Sequence, residues 1–384
     1  MVEFAVNEDH AALRAAVAEV VSGFGHDYYI RKAQARESPS ELWTALGKQG
    51  FIGVNIAEEY GGGGAGMVEL AIVCEEAAAQ GCPLLLTLVS CGIGAEVIGK
   101  FGSAGQKQQW LPRLASGEGK IVFAITEPDA GTNSHRLATM AVRDGTDWLI
   151  SGQKYFISGV EQADAILVVT KTGTGADGKA QMSLFLVDTD APGLVAQQLP
   201  VDVAMPDKQF TLFFDNVRVP ADRLVGTEGD GFRQVFHGLN PERITGAALC
   251  TGIGRFALAK AAKYASERTI FKAPIGTYQG VSHPLAAAKI HVEAAALMTA
   301  KAAWQHDHGE PAGEASNMAK YLAAEAGIAA VDAAIQAHGG LGVSSEFGLI
   351  PLWGMARLLR IAPVNSEMIL NYVAQHSLGL PKSY

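Results

Sequence analysis

A chain of 384 residues, 48% hydrophobic and 18% charged, can build a large core over roughly two to three domains, unlike a disordered polypeptide. A net charge of −9 argues against wholesale nucleic-acid binding, and residues 1–14 are too acidic for an export signal or a mitochondrial transit peptide. The longest apolar run, around residues 83–89, is too short to cross a bilayer, and Cys74, Cys82, Cys91 and Cys250 form no C-x-x-C pair, so a soluble cytoplasmic protein with reduced thiols is expected.

Residues 1–118 are rich in Ala and Leu at helical spacing, as in Leu42, Ala45 and Leu46 and again in Leu70, Val73 and Ala77. The glycines at 61–64 separate two such segments, and Gly117-Glu118-Gly119 closes the region. Residues 119–228 read instead as short strands at 121–126, 148–151, 165–170, 183–188 and 211–219, with turns at 171–178 and 190–193. From 229 to 384 long Ala-rich helices return and end near Leu378. Helices, then strands, then helices predict a mixed α and β chain in which two helical layers flank a β domain.

Two segments of the middle region carry chemistry. Phe123-Ala-Ile125-Thr126-Glu-Pro-Asp-Ala-Gly-Thr132-Asn133 runs from an apolar strand into a turn that exposes backbone N–H groups, with Thr126 and Thr132 adding hydroxyls. Gly152-Gln-Lys-Tyr-Phe156-Ile157-Ser158 ends in an aromatic ring, a β-branched residue and a hydroxyl, a set that suits a flat ring with polar edges. Together they suggest a cofactor cradle; the same residues also make an ordinary surface hairpin.

Two other patterns lead away from chemistry. Gly252-Ile-Gly254-Arg-Phe-Ala257 fits G-x-G-x-x-A but lacks the preceding strand that a dinucleotide fold requires. His306-Asp307-His308 has no nearby Cys or carboxylate cluster in sequence, so a polar turn and no metal is expected there. Asn240-Pro241-Glu242 reads locally as a helix start, with Asn240 as N-cap and Pro241 in the first turn.

The paired segments 123–133 and 152–158 resemble the flavin-binding signature of the acyl-CoA dehydrogenase family. Ala57-Glu-Glu-Tyr-Gly-Gly62, Glu267-Arg268-Thr-Ile-Phe271 and Gln336-Ala-His-Gly-Gly-Leu-Gly342 match in the same order, so the resemblance spans nearly the whole chain. It implies an N-terminal helical domain (1–118), a middle β-barrel-like domain (119–228) and a C-terminal four-helix bundle (229–384), assembled as a homotetramer. FAD would lie against Phe123, Ile125, Thr126, Thr132, Phe156, Ile157 and Ser158, where Phe156-Ile157-Ser158 replaces the usual Trp-Ile-Thr. Its adenosine diphosphate half would meet Arg268, Phe271, Gln279, Gln336, Gly339 and Gly340 across a subunit boundary, and Asn365 and Glu367 would complete the cofactor contacts.

The activity implied is FAD-dependent α,β-dehydrogenation of an acyl-CoA thioester to the trans-2-enoyl-CoA, in fatty acid metabolism, with electrons passing to an electron-transfer flavoprotein. In most of the family the base is a Glu in a C-terminal loop. Here Arg360-Ile-Ala-Pro363-Val364-Asn365-Ser-Glu367 puts Pro363 at that position. In isovaleryl-CoA and long-chain dehydrogenases the base comes instead from the helix that opens the bundle. Gly238-Leu-Asn240-Pro-Glu242-Arg243 matches that segment, making Glu242 the base, and the resemblance places it within a helix already begun near Gly231 that Pro241 must kink or locally open. Resemblance then sets Asn240, Arg243, Thr132 and Val364 against the substrate, and residues 85–94 at the acyl end. Burial would raise the Glu242 pKa. Pro363 has no N–H with which to polarise the thioester, so Val364 or the flavin must do so. Two other readings remain open from sequence: a flavin oxidase or oxygenase of the same fold acting on a non-CoA substrate, and a non-catalytic partner subunit.

Overall fold

The computed structural model describes residues 7–175 and 178–382, so the middle of the turn expected at 171–178 lies outside them. The N-terminal helices are α1 (Glu8–Ser22), α2 (Gly25–Ala35), α3 (Ser40–Lys48), α4 (Met67–Ala79), α5 (Glu96–Phe101) and α6 (Ala104–Ser116). Their starts follow local capping chemistry. Asn7 accepts the N–H groups of Asp9 and His10 at α1, and Ser103 and Gln106 form a reciprocal capping box at α6. Leu42, Leu46, Leu70, Val73 and Ala77 are buried, as their helical spacing predicts. Between α4 and α5 residues 87–95 form a π-helical segment, which the sequence pattern does not announce.

The middle region is an eight-stranded sheet of β1 (Ile121–Ala124), β2 (Met140–Asp144), β3 (Asp147–Ser158), β4 (Ala165–Thr174), β5 (Ala180–Asp188), β6 (Leu194–Leu199), β7 (Gln209–Val219) and β8 (Leu224–Val225). Its order is β6-β7-β3-β2-β4-β5-β8, with β1 parallel to β4. β4 is apolar on both faces because it is central: Ile166, Leu167, Val168 and Val169 have no exposed surface. The strand expected at 148–151 runs on through 158, and β2, β6 and β8 are additions to the expected set.

The chain then forms α7 (Gly231–Glu267), a small hairpin of β9 (Thr269–Ile270) and β10 (Ala273–Pro274), and α8 (Gln279–Asp307), α9 (Gly313–His338), α10 (Leu349–Ile361) and α11 (Ser366–Tyr372). Helices α7 to α10 pack as a bundle, with buried alanines such as Ala257, Ala295 and Ala323 at its centre. Gly252 and Gly254 permit close helix packing: a Cβ would lie 2.2 Å from the Glu75 carbonyl oxygen at Gly252 and 2.8 Å from Val292 Cγ2 at Gly254. The G-x-G-x-x-A pattern is therefore a helix-packing feature. Asp307 accepts the N–H groups of Met67 (2.7 Å) and Val68 (2.9 Å), so the His-Asp-His segment closes α8 and caps α4. No metal-ligating cluster occurs among the described residues.

A second core joins the domains. Ile93, Val97, Trp110 and Leu111 pack with Leu167 and Leu184 of the sheet and Val235 of α7. The π-helical segment, the sheet and the first turns of α7 thus meet in one place.

Candidate active site between sheet, bundle and π-helical wall

The two chemistry-bearing segments of the middle domain are stitched together by a buried ion pair. Glu127, in the turn after β1, accepts Ala138 N–H (2.7 Å), Thr139 N–H (3.0 Å) and Lys154 Nζ (2.8 Å). Lys154, fully buried on β3, also donates to the Ile125 carbonyl (3.0 Å), and Tyr155 N–H donates to the Thr126 carbonyl (2.8 Å). Burial draws the Lys154 ammonium down to about 8, against the pull of Glu127. Burial pushes on Glu127 in the opposite sense, yet Lys154 and the surrounding donors hold its carboxyl below the usual range. Sequence reasoning passed over both residues. The signal was present: Lys154 lies at even strand spacing from the inward-facing Trp148 and Ile150, where a charge requires a buried partner.

That anchor sits beside a bulge. On β3, Lys154 pairs with Leu212 and Ile157 with Phe210, so one extra residue is inserted on the β3 side. Phe156 takes φ +58°, is 53% exposed, and meets Tyr155 edge-on with ring centroids 4.4 Å apart. A bulge re-aims a side chain away from the sheet, and a β-strand aromatic at positive φ persists only where its surroundings impose it. Ile157 points into the core, so only its backbone can face a ligand. Ser158 Oγ donates to Gln209 Oε1 (2.9 Å), while Phe123, Ile125 and Thr126 are partly buried and Thr132 is exposed.

α7 is continuous through Asn240-Pro241-Glu242, which sets aside the helix-start reading. The helix begins ten residues earlier because Gly238 lets it lie against Ile93 and Val97; a Cβ there would be 2.8 Å from Val97 Cγ2. Asn240 does not cap; its Oδ1 accepts Arg243 Nη1 at 2.9 Å. Pro241 removes one helical N–H donor. Thr245 Oγ1 donates to the carbonyls of Pro241 (2.8 Å) and Glu242 (3.2 Å).

Glu242 is partly buried, and no hydrogen bond or ion pair holds its carboxylate among the described residues. Desolvation pushes it up to about 7, opposed by the charges of Arg243 and Lys320. Arg243 is 8% exposed and its Nε has no partner, so a buried donor is left for a ligand.

The loop after α10 closes the site. A Cβ on Gly246, one turn beyond Glu242, would lie 3.9 Å from Pro363 Cδ and 3.5 Å from Leu88 Cδ2. Pro363 therefore stands over the same face of α7 that carries Glu242, with the π-helical segment on the other side. Leu88 and Cys91 of that segment are buried, as is Leu85 just before it, and a Cβ at Gly92 would be 3.2 Å from Thr245 Oγ1. π-Helical turns recur at functional sites. Asn365 Nδ2 donates to Thr132 Oγ1 (3.1 Å), joining this loop to the middle-domain turn, while Asn365 Oδ1 caps α11 through Met368 N–H (2.9 Å). Glu367 is exposed in the first turn of α11.

Thr132 is thus joined to Asn365 and Asn240 to Arg243, while Glu242 lies on the face of α7 that Pro363 covers and Val364 follows in the same loop. Arg268, Phe271, Gln279, Gln336, Gly339 and Gly340 are all exposed, and no hydrogen bond or ion pair among the described residues links them to the Phe156 cradle. Phe271 is 92% exposed at φ +54°, and a Cβ at Gly339 or Gly340 would meet nothing within 4 Å. An aromatic turned off a sheet, hydroxyls at Thr126, Thr132 and Ser158, and open glycine backbone fit a flat cofactor with a diphosphate.

Profiles of the acyl-CoA dehydrogenase N-terminal, middle and C-terminal domains match residues 7–118, 122–217 and 229–378. The chain is 54% identical to acyl-CoA dehydrogenase FadE12 of Mycobacterium tuberculosis over 99% of both sequences. Among solved structures it resembles butyryl-CoA dehydrogenase from Megasphaera elsdenii (25% identity, TM-score 0.92, 98% of this chain and 100% of that one). It is also similar to a glutaryl-CoA dehydrogenase from Mycobacterium smegmatis in complex with FADH2 (26% identity, TM-score 0.92, 99% and 96%). With fold and sequence in agreement, this chain belongs to the acyl-CoA dehydrogenase family of oxidoreductases.

Proposed function

We propose that the protein dehydrogenates an acyl-CoA thioester between its α and β carbons, with Glu242 as the base that takes the α proton. The observation that carries this reading is an unpaired carboxylate, raised to about 7, on the face of α7 that Pro363 covers. A general base works best with a pKa near the working pH, and Pro363 removes the alternative carboxylate. FAD, held by Phe123, Ile125, Thr126, Thr132, Phe156, Ile157, Ser158, Asn365 and Glu367, supplies the hydride acceptor when bound.

The remaining steps belong to side chains. Arg243, with its unpartnered Nε, and Asn240 beside it bind polar parts of the CoA ester. Val364 N–H makes no backbone hydrogen bond among the described residues and is the donor that stands in for the one Pro363 lacks. The apolar wall of residues 85–94 excludes water from the acyl chain. Arg268, Phe271, Gln279, Gln336, Gly339 and Gly340 serve the adenosine diphosphate half of FAD in a neighbouring subunit of a homotetramer, which their shared exposure favours. The electron acceptor that family membership implies is an electron-transfer flavoprotein.

The test is anaerobic mixing of the flavin-loaded protein with a panel of acyl-CoA esters while flavin absorbance is followed. Bleaching is expected with at least one ester, rising with pH through about 7 as the base ionises. Glu242→Gln is expected to keep its flavin and lose bleaching by about 10²-fold or more. Undiminished bleaching in that variant removes Glu242 from the role, and rapid oxygen-dependent reoxidation without any acyl-CoA response points to an oxidase.

A further inference from the structure

Helix α9 grips the loop that carries Pro363. Lys320 is 2% exposed, and its Nζ donates to the carbonyls of Arg360 (3.1 Å) and Val364, one on each side of Pro363. Five residues further along α9, Glu325 pairs with Arg360 Nε (2.6 Å) and accepts Ser366 Oγ (3.4 Å). Both ends of the 360–366 segment are thereby tied to one rigid helix.

A buried ammonium is a costly way to bind two carbonyls, since a neutral donor would do so without desolvating a charge. The charge has a counterpart across the cleft. Lys320 faces Glu242, Arg243 and Cys250 of α7 and Glu325 of its own helix. The charges of Arg243 and Lys320 favour the ionised form of Glu242, and Arg243 in turn feels Tyr372 of α11.

We propose that Lys320 is a positioning residue for the dehydrogenation: it fixes the Pro363 loop over α7 and supplies, from α9, a positive charge facing Glu242. This inference rests on the role proposed for Glu242. Its geometric content is the pair of hydrogen bonds by which one buried amine ties the Pro363 loop to α9; its charge acts on the base without contact. Burial draws the amine down to about 8, so the charge itself weakens on the alkaline side.

Two variants of the flavin-loaded enzyme separate the effects. Lys320→Gln retains N–H donors for the carbonyls but carries no charge; Lys320→Arg retains charge with a different donor shape. Removing a positive charge destabilises the carboxylate form, so in Lys320→Gln the acid limb of the bleaching-rate profile moves up by about one pH unit or more. At pH 7 the rate falls about fivefold or more, with little change in apparent KM. Lys320→Arg keeps the acid limb of the parent enzyme. An unmoved acid limb in Lys320→Gln, with flavin retained, overturns the proposal. If Lys320→Gln does not fold, the acid limb of Lys320→Arg decides: at the parent position it supports the proposal, and displaced upward it overturns it. An active Glu242→Gln enzyme signals failure of the base assignment, whereas an inactive Glu242→Gln beside an unshifted Lys320→Gln signals failure of this inference alone.

Discussion

At the residue scale, burial decides which acids change character. Glu242 and Asp207 are both raised to about 7, chiefly by desolvation, and they differ in consequence. Glu242 is the proposed base, for which a raised pKa suits proton abstraction. Asp207, 4% exposed, accepts Gln162 Nε2 at 3.1 Å and sits near Glu161, which pushes it further up, with Lys120 opposing. Because its folded pKa exceeds the unfolded value of 3.8, folding takes up a proton between that pH and about 7. Stability therefore falls as pH rises through this window and levels off above it. Asp207→Asn escapes that loss: its melting temperature is expected to match the parent near pH 4 and to exceed it increasingly up to pH 7. Calorimetry across pH 4–8 checks this, and a constant difference contradicts it.

At the scale of elements, the Glu127–Lys154 pair links the β1 turn to the β3 bulge. Lys154→Met leaves Glu127 buried and unpaired, a loss of about 3–5 kcal/mol. Denaturant unfolding is expected to show that loss together with reduced flavin content, since the segments bearing Thr126 and Phe156 are no longer held in register. The double variant Glu127→Gln with Lys154→Met removes both charges and is expected to recover part of the stability. No recovery would mean the pair acts through packing alone. The π-helical segment and α7 depend on each other in a similar way. Gly238, Ile93 and Val97 allow the close approach that carries α7 past Pro241 without ending it.

At the scale of the whole molecule, the proposed role of the exposed residues at 268–279 and 336–340 is to serve the cofactor of a neighbouring subunit. Subunits carrying Arg268→Ala but intact Glu242 can be mixed with subunits carrying Glu242→Gln but intact Arg268. If Arg268 serves the neighbour's cofactor, one site in each mixed pair combines both intact residues, and bleaching returns after mixing. Activity that stays at the level of the separate variants would show that each chain completes its own site.

Much of this was legible in the chain. Periodicity marked the helices around Leu42 and Leu70, an unbroken apolar run marked β4, and the order of motifs marked the family. These signals are local: each needs only neighbours along the backbone, or residues quoted in sequence. What stayed hidden depends on partners far apart in sequence. The local chemistry of Asn240-Pro241 points to a helix start, and only the family resemblance placed it inside a helix begun near Gly231, as α7 is. The run 87–95 has no helical or strand period to read, and its π turns arise where it wedges between sheet and bundle. The bulge at Phe156 exists only in register with β7. Lys154 found Glu127 across 27 positions and Lys320 found Val364 across 44, and only folding brings such charges out of water and into contact. Sequence alone determined the class of chemistry and the residue types available for it; tertiary packing decided which acid is desolvated, which loop faces it, and what charge stands opposite.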